Sequence, residues 1–401
     1  MRLLNTMLEK FVQTGTIRII DADNQRYEHK GSEGPEVTLR FTDKKLARRL
    51  FLNPELRAGE AYVDGTLIFE EGTIRDLLMI FALNRSNLRK QPLQRSIRRF
   101  LKRMRKFHQH NTIVKARENV AHHYDLSNEL YRLFLDEDMH YSCAYFKSPD
   151  DTLDIAQQNK IRHIAAKLDL KPGQKILDIG SGWGGMAMFL AEHADVEVLG
   201  VTLSKEQQAL ATQRAQERGL QDRVKFELID YRHVEGQFDR IVSIGMFEHV
   251  GTDHHQEYFS KINSLLTQDG VALVHAIGRK GQPGPTSAWI RKYIFPGASS
   301  PALSETCTAI EKSGLWASDI EILRLHYADT LLAWDQRFQN NRQQIEKLLD
   351  ERFCRMWEFY LIISEMSFRN GKHMIFQIQL CKDINTLPVT RDYMAVAEAS
   401  L

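Results

Sequence analysis

Apolar and polar residues alternate in short segments over the first 84 residues of the chain. A period of two residues is typical of strands that are buried on one face only. The segments with this pattern are Thr16–Asp21, Val37–Phe41 and, around a turn at Asp64–Gly65, Ala58–Phe69. They are followed by Thr73–Leu83, whose apolar residues recur with a helical period. The pattern therefore predicts a small mixed α/β domain over residues 1–84.

Between Lys171 and Gly278 the pattern changes to apolar runs separated by helical segments. The predicted strands are Lys175–Gly180, Val196–Thr202, Val224–Asp230, Phe238–Gly245 and Val271–Gly278, and the predicted helices are Met186–Glu192 and Lys205–Arg218. Strands that are apolar on both faces belong to a parallel sheet with helices on each side. A hairpin of Asp319–Tyr327 with Met374–Leu380 is expected to add an antiparallel edge. The predicted fold class is therefore α/β and Rossmann-like.

The composition is that of an ordinary globular protein. The chain has 401 residues, of which 43% are hydrophobic and 26% charged, enough for two to three domains with cores of their own. The four cysteines show no C-x-x-C spacing of a redox or zinc site. We see no signal peptide and no apolar run of about 20 residues. A cytoplasmic protein is expected, which meets a membrane only from outside.

A net charge of +2 hides an uneven distribution of charge. Residues 85–117 hold twelve Lys or Arg and no Asp or Glu, so the remainder carries about −10. Within this basic connector Ile97, Phe100, Leu101, Met104 and Phe107 share one helical face. The favoured interpretation is a helix on anionic lipid headgroups. The first alternative is a connector packed on its own domain. A nucleic-acid-binding segment is the least favoured alternative, so no nucleic-acid partner is expected.

A glycine-rich loop follows the first strand of the parallel sheet. Gly180, Gly182 and Gly185 fit the pattern G-x-G-x-x-G, in the strand–loop–helix context that the pattern requires. Glycines let the backbone turn tightly and approach a ligand closely. The loop alone is compatible with NAD, FAD or S-adenosylmethionine.

The second strand discriminates between these cofactors. A dinucleotide site expects Asp or Glu about 20 residues after the loop, to hold the ribose. The strand instead ends with Gly200, Thr202 and Ser204, and its tip carries no acid. Asp178 extends the loop to D-x-G-x-G-x-G, which is typical of methyltransferases, although a carboxylate here can also cap the loop. S-adenosylmethionine is therefore favoured.

Two residues that could carry chemistry lie towards the ends of the fourth and fifth strands. Glu248 and His275 fall at the carboxyl ends of these strands, where ligands bind in open parallel sheets. The alternatives are a helix cap or surface carboxylate for Glu248 and a core histidine for His275. Cys143, taken by itself, reads as a small buried hydrophobic residue.

Six segments, taken together, resemble the cyclopropane-fatty-acyl-phospholipid synthase family, which includes the related mycolic acid methyltransferases. These segments are His122–Asp136, Met139–Phe146, Leu177–Gly185, Thr202–Gln207, Met246–Gly251 and His326–Trp334. The resemblance implies a class I methyltransferase domain over residues 118–401, with a lipid-channel insertion around 279–341. It implies that S-adenosylmethionine adds a methylene across the cis double bond of a phospholipid acyl chain.

The resemblance also implies a role for individual residues. Those expected to bind S-adenosylmethionine, together with Asp178 from the loop pattern, are Tyr124, Tyr141, Ser142, Gly180, Gly182, Trp183, Gly184, Thr202, Leu203, Gln207, Asp230 and Tyr231. Those expected to hold a bicarbonate ion that serves as the base are Cys143, Glu248, His275, Ile277 through its backbone, and Tyr327. Aromatic faces such as Tyr327 and Phe247 are expected to stabilise a carbocation.

One position departs from the family pattern. Many members have a cysteine in a late segment where this chain has Ser364, so a thiolate cannot act there. The neighbouring Glu365 is interpreted as structural. Two further functions stay open: a fatty-acyl methyltransferase that makes methyl-branched or methylene products, and a lipid-binding protein without catalysis. The family also implies docking on the inner face of a membrane, and its members are often homodimers.

Overall fold

The structure is a computed structural model that describes residues 1–90 and 127–401. Tyr124 and most of the predicted basic connector, 85–117, lie outside the described residues. The chain forms two compact units. The first unit comprises Met1–Arg105, Pro285–Pro296 and Leu331–Gly371, and the second unit comprises Lys106–Gly284, Gly297–Thr330 and Lys372–Leu401. The first unit thus extends beyond residues 1–84, and the expected insertion 279–341 divides between the two units.

A four-stranded sheet forms the centre of the first unit. Its strands are β1 (Thr14–Ile20), β2 (Arg26–Lys30), β3 (Ser32–Phe41) and β4 (Leu67–Glu71), in the order β2-β1-β3-β4. The central pair β1 and β3 is parallel and the other pairs are antiparallel. The early helices are α1 (Arg2–Phe11), α2 (Leu46–Leu52), α3 (Pro54–Val63), α4 (Ile74–Leu83) and α5 (Arg85–Lys90). The predicted mixed α/β character is confirmed.

The predicted strand over Ala58–Phe69 is wrong in its first half. Asn53 caps α3 by accepting the N–H of Leu56, and Pro54 starts the helix with a backbone angle that suits it. The chain therefore stays helical to Val63 and becomes extended only at Leu67. In contrast, α4 begins where the pattern predicts, because Thr73 and Asp76 form a reciprocal capping box.

Later residues complete the first unit. Its further helices are α11 (Ala288–Tyr293), most of α13 (His326–Asn340), α14 (Arg342–Leu348) and α15 (Glu351–Arg369). Ser364 lies in α15. Glu365, also in α15, is buried and forms ion pairs with Arg75 and Arg369. Arg75 additionally binds Asp335 at 2.8 Å. Glu365 is therefore structural, as the sequence indicated.

A seven-stranded sheet forms the centre of the second unit, in the order β10-β11-β9-β8-β5-β6-β7. Its strands are β5 (Gln174–Ile179), β6 (Val196–Thr202), β7 (Val224–Leu228), β8 (Phe238–Ile244), β9 (Leu266–Arg279), β10 (Trp316–Ile322) and β11 (His373–Cys381). From β5 to β9 the strands are parallel, and β11 is antiparallel to both of its neighbours. The predicted hairpin and its antiparallel edge are confirmed, although β10 starts and ends earlier than expected.

Helices cover both faces of this sheet. They are α6 (Asn128–Arg132), α7 (Leu153–Lys167), α8 (Gly185–His193), α9 (Lys205–Glu217), α10 (His255–Leu265), α12 (Leu303–Ser313) and α16 (Asp392–Ser400). Two apolar cores result: Ile176 and Val198 belong to one, and Leu177 and Val274 to the other. Alternate residues of a strand point to opposite faces, so β5 contributes to both cores. This packing fixes the carboxyl ends of β5, β6, β8 and β9 at one edge.

Among residues 1–90 and 127–401, no helix combines the length and the apolar character needed to cross a membrane.

Candidate active site

The glycine loop joins β5 to α8 in a conformation that requires glycine. Gly180, Gly182 and Gly184 all have positive φ angles, of 83°, 55° and 85°. A Cβ atom on Gly184 would also lie 2.6 Å from the ring of Phe226. Neither the backbone angles nor the space would therefore accept a side chain at Gly184. At Gly180 and Gly182 the loop faces the cavity described next without a side chain, whereas Ser181 and Trp183 also line it.

A cavity lies at the carboxyl ends of β5, β6 and β8 in the second unit. It contains about 1180 Å³ of space free of protein atoms, part of it open to solvent. The described residues predicted to bind the cofactor line it, with the exception of Gly184. They are Tyr141, Ser142, Asp178, Gly180, Gly182, Trp183, Thr202, Leu203, Gln207, Asp230 and Tyr231. The structure thus brings together residues separated by up to 90 positions in the sequence.

Buried carboxylates and hydroxyls give this cavity its polarity. The hydroxyl of Thr202 donates to the Oε1 atom of Gln207 at 2.8 Å, which ties the tip of β6 to the start of α9. Asp230 accepts hydrogen bonds from Arg232, including one of 2.8 Å to Oδ2. Burial alone would raise the pKa of Asp230, but the Arg232 guanidinium outweighs it and lowers the pKa. Asp230 is therefore an ionised carboxylate already paired within the wall of the cavity.

Lys160 is a residue of this cavity that the sequence analysis missed. It is fully buried, and its ammonium donates to the hydroxyl of Ser142 at 3.1 Å. Burial lowers its pKa to about 8, although the carboxylates of Asp136 and Asp178 oppose the shift. The signal was in the helical period of α7, where Lys160 lies four residues after Ala156 and four before Ile164, both buried. A lysine in an apolar stripe indicates a buried charge.

Asp178 complements Lys160 in the same cavity. Its Oδ2 atom is buried and has no hydrogen-bond partner among the described residues. Burial raises the pKa of Asp178 to about 7, against the influence of the Lys160 charge. A buried carboxylate oxygen without a partner costs free energy unless a ligand donates to it. Asp178 is therefore available to a donor that enters the cavity.

Glu248 and Ile277 form a second polar group next to the parallel sheet. Glu248 lies in a short 3₁₀ helix after β8 and is 6% exposed. Its Oε1 atom accepts the backbone N–H of Ile277 at 2.6 Å, whereas Oε2 has no partner among the described residues. Burial raises the pKa of Glu248 to about 7, despite that hydrogen bond. The N–H of Ile277 thus orients Glu248, and the other carboxyl oxygen remains available.

His275 lies two residues before Ile277 on β9, on the same face of the strand. It is 1% exposed, and its Nδ1 atom contacts the amide nitrogen of Gln377 at 3.2 Å. Its Nε2 atom is buried without a partner among the described residues. Burial lowers the pKa of His275 to about 3, so the ring is neutral at pH 7. His275 is therefore not a satisfied core histidine.

Cys143 and Tyr327 come from two segments that the structure connects. The thiol of Cys143 is fully buried and donates to the carbonyl of Ala144 at 3.2 Å. Burial raises the pKa of this thiol far above its ordinary value, which excludes a thiolate nucleophile. The N–H of Ala144 donates to the hydroxyl of Thr330 at 3.0 Å, one helical turn after Tyr327 on α13. Cys143 thus lies beside the helix that carries Tyr327.

The expected role of Phe247 in stabilising a cation is not supported. Its ring is completely buried and packs against the rings of His255, Tyr258 and Phe259, with centroids 4.6 to 5.2 Å away. These contacts place it in the apolar core of the second unit. Phe247 therefore fixes the 3₁₀ helix that carries Glu248, and we assign it no chemical role.

The chain resembles known enzymes over most of its length. The sequence profile described as mycolic acid cyclopropane synthetase matches residues 111–378. A probable fatty acid methyltransferase of Pseudomonas putida is 37% identical over 376 residues, which make up 90% of this chain and 92% of that protein. The cyclopropane-fatty-acyl-phospholipid synthase of Escherichia coli strain K12 is 42% identical over 270 residues, 67% of this chain and 69% of that protein.

A solved structure agrees with these sequence relatives. The mycolic acid cyclopropane synthase complexed with SAH and CTAB superposes with a TM-score of 0.63 and 35% identity, covering 66% of this chain and 97% of that chain. The predicted fold class, a Rossmann-like class I S-adenosylmethionine-dependent methyltransferase domain, is confirmed, as is the predicted enzyme class. The chain belongs to the mycolic acid cyclopropane synthetase family, whose members include cyclopropane synthases and methyltransferases.

Proposed function

We propose that this enzyme is a cyclopropane-fatty-acyl-phospholipid synthase, which adds a methylene from S-adenosylmethionine across the cis double bond of a phospholipid acyl chain. The observation that carries the proposal is a pair of buried atoms without partners among the described residues, Oε2 of Glu248 and Nε2 of His275. Ring closure needs a proton to be removed from the transferred methyl group.

The residues around the cavity fit S-adenosylmethionine. Gly180 and Gly182 line the cavity without a side chain, and Oδ2 of Asp178 offers an acceptor to the ammonium or hydroxyl donors of the cofactor. Lys160 supplies a compensating positive charge in the same wall. When bound, this cofactor supplies the activated methyl group.

The second polar group fits a bicarbonate ion, which would supply a small base. Such an ion carries both a hydroxyl donor and oxygen acceptors. Glu248 would accept a hydrogen bond from its hydroxyl through Oε2, while Ile277 holds the other oxygen of Glu248 in place. His275 would donate to an oxygen, and we assign supporting roles to Cys143 and Tyr327. The neutral thiol of Cys143 is suited to a supporting contact rather than to attack on a carbon, because burial raises its pKa.

Burial of these groups serves the chemistry of an alkene. An alkene is a weak nucleophile, and methyl transfer to it leaves a carbocation that water would capture. Cys143 and His275 are each 1% exposed, so water has little access to them. A water-excluding site therefore favours loss of a proton and ring closure over hydration.

The lipid substrate and the membrane belong to the same proposal. The named relatives act on fatty acyl or phospholipid molecules, according to their names. We propose that the enzyme docks from the cytoplasm on the anionic inner face of a membrane through residues 85–117. Residues 279–341 would contribute to a channel for the acyl chain, and a homodimer is expected from the family resemblance.

The test is incubation of the intact enzyme with labelled S-adenosylmethionine and vesicles of unsaturated phospholipid, with and without added bicarbonate. We expect labelled cyclopropane fatty acids, formed faster when bicarbonate is present. The variant Glu248→Gln is expected to bind the cofactor normally, as measured by calorimetry, and to lose ring formation. Full ring formation by this variant, with cofactor binding intact, would contradict the assigned role.

A second candidate function is a fatty-acyl methyltransferase that makes methyl-branched or methylene products. The relative from Pseudomonas putida favours it, because that similarity extends over 90% of this chain. Both reactions share the cation. In ring closure the new methyl group loses a proton and bonds to the cationic carbon, whereas a methylene product forms when a hydride first shifts to that carbon and the methyl group then loses its proton. Mass spectrometry of the product fatty acids before and after mild hydrogenation distinguishes them, since a methylene product takes up hydrogen and a cyclopropane does not. Absence of cofactor binding in calorimetry would instead favour a lipid-binding protein without catalysis.

A further inference from the structure

A buried glutamine contacts the ring of His275. Gln377 lies on β11 directly opposite His275 on β9 in the antiparallel pairing. Residues paired in this way have neighbouring side chains on the same face of the sheet. The amide nitrogen of Gln377 is 3.2 Å from Nδ1 of His275, and each side chain is 1% exposed. This hydrogen bond is therefore shielded from water.

A buried lysine fixes the orientation of the Gln377 amide. The Nζ atom of Lys167, at the end of α7, donates to Oε1 of Gln377 at 2.6 Å. An ammonium group has donors only, so the amide oxygen must face Lys167 and the NH₂ group must face His275. The opposite orientation would place the NH₂ group, which has donors only, against the ammonium of Lys167.

An acidic residue keeps Lys167 charged despite its burial. Burial lowers the pKa of Lys167, whereas the charge of Glu321 raises it. Lys167 forms an ion pair with Glu321. Burial works against ionisation of Glu321 too, yet hydrogen bonds and charges from His163 and Lys167 hold its pKa at about 2. The ammonium and the carboxylate therefore form a stable charged pair behind Gln377.

The proton on the His275 ring is thereby assigned to one nitrogen. Nδ1 accepts a hydrogen bond from Gln377 and so carries no proton. The ring is neutral at pH 7, because burial holds its pKa at about 3. A neutral imidazole keeps one proton, which must then be on Nε2, the atom without a partner among the described residues.

We propose that Lys167 and Gln377 are positioning residues that hold His275 as the neutral tautomer with its proton on Nε2. His275 then presents an N–H donor, and not a lone pair, to an anion bound beside Glu248. The identity of this anion as bicarbonate rests on the proposed function. The tautomer itself does not, since it follows from contacts within the protein.

The matched variants are Gln377→Glu and Gln379→Leu. A glutamate at 377 still accepts from Lys167 but offers no donor to Nδ1, so it reverses the hydrogen bond and moves the ring proton to Nδ1. Gln379 is buried on the same face of β11 and donates to the backbone carbonyl of Lys167 and to Tyr393, without contacting His275 in these hydrogen bonds. The variant Gln379→Leu therefore shows whether a general disturbance of β11 changes the His275 tautomer.

The experiment is nitrogen-15 NMR of the intact enzyme labelled at histidine. The His275 signals are assigned as those lost in His275→Gln, and the chemical shifts of the two ring nitrogens identify the tautomer. We expect protonated Nε2 and unprotonated Nδ1 in the wild type and in Gln379→Leu, and the reverse in Gln377→Glu. A wild-type ring protonated on Nδ1, or an unchanged tautomer in Gln377→Glu, would overturn the proposal.

Titration with inorganic bicarbonate separates this proposal from the proposed function. We expect bicarbonate to shift the Nε2 signal of wild-type His275, and Gln377→Glu to raise the bicarbonate concentration for half-maximal activity roughly tenfold or more. The expected tautomer without any response to bicarbonate would support the positioning role and contradict the bicarbonate site. A response to bicarbonate with the opposite tautomer would support the bicarbonate site and contradict the positioning role.

Discussion

At the scale of single residues, the buried carboxyl of Glu248 links the proposed function to stability. Burial raises its pKa from the ordinary value of 4.5 to about 7, so the folded protein binds this proton more tightly than the unfolded chain. The contribution of Glu248 to stability is therefore fully present below pH 4.5 and is lost as the pH rises through 7. Ionisation of Glu248 therefore destabilises the fold as the pH rises through 7.

This pH dependence of stability leads to a prediction for Glu248→Gln. The amide keeps an oxygen for the N–H of Ile277 but cannot ionise. The variant is expected to match the wild type near pH 4.5 and to exceed it by up to about 3 kcal/mol at pH 8. Urea unfolding between pH 4.5 and 8 measures the difference, with the exposed Glu235→Gln as control. A variant less stable than the wild type at pH 8 would show that the ionised carboxylate is well solvated.

Lys160 supports a second prediction at this scale. Its charge lowers the pKa of Asp178, which burial raises, so replacing it by methionine should leave Asp178 more fully protonated at pH 7. We expect Lys160→Met to bind S-adenosylmethionine about tenfold more weakly or worse at pH 7, in line with about 1.5–3 kcal/mol for a charged hydrogen-bonding group. Part of the affinity should return at pH 9, where Asp178 ionises.

Calorimetry at the two pH values measures this effect of Lys160. The control is Lys171→Met, which removes a lysine whose side chain is 65% exposed. Wild-type affinity in Lys160→Met at pH 7 would exclude the residue from the cofactor site.

At the scale of elements, strands with strong apolar patterns were predictable. Segments in which a helix signal competes with a short alternating pattern were not. The strands β5, β6 and β8 lie within one residue of their predicted bounds, because they are apolar on both faces. The helix α3 escaped prediction because Asn53 and Pro54 start it, and a capping signal outweighs a short alternating pattern. β10 ends at Ile322 because the residues from His326 onward form α13.

Within the candidate site, too, some residues could be predicted from the sequence and others could not. Glu248 and His275 were predictable, since their places after β8 and on β9 follow from the order of the elements. Gln377 was not, because its contact with His275 depends on the register between strands 102 residues apart. Sequence periodicity determines which face of a strand is buried, whereas the partner across a strand pair appears only in the folded structure.

The conformation of the glycine loop predicts how strongly an alanine at Gly184 destabilises the protein. Gly184 and Gly173 have similar φ angles, 85° and 77°, but a Cβ atom meets Phe226 at 2.6 Å only at Gly184. Gly173→Ala should cost about 1–2 kcal/mol for the left-handed backbone, and Gly184→Ala should cost more and weaken cofactor binding. Adding Phe226→Leu should recover part of the loss in Gly184→Ala. Equal costs of the two alanine variants, measured by thermal unfolding, would show that the loop relaxes.

At the scale of the whole molecule, the charge distribution bears on the lipid substrate. Residues 85–117 carry twelve positive charges, while the rest of the chain carries about −10. Acting on a phospholipid requires the enzyme to reach a membrane surface, and an anionic surface attracts the positive segment and repels the remainder. In an enzyme that docks as proposed, the uneven charge would orient the molecule on the surface, in addition to holding it there.

Vesicle binding by the intact enzyme tests the proposed membrane role of residues 85–117. A variant with four basic residues of the segment replaced by glutamine, at Arg98, Arg99, Lys102 and Arg103, is compared with one that loses four exposed lysines elsewhere, at Lys171, Lys225, Lys312 and Lys347. Each basic residue near an anionic surface contributes about 1 kcal/mol, so the first variant should bind anionic vesicles up to about a thousandfold more weakly at low salt. The second, with the same net charge, should bind nearly as well as the wild type. Equal losses in the two variants, or binding of the wild type that ignores salt and anionic lipid, would contradict a membrane role for residues 85–117.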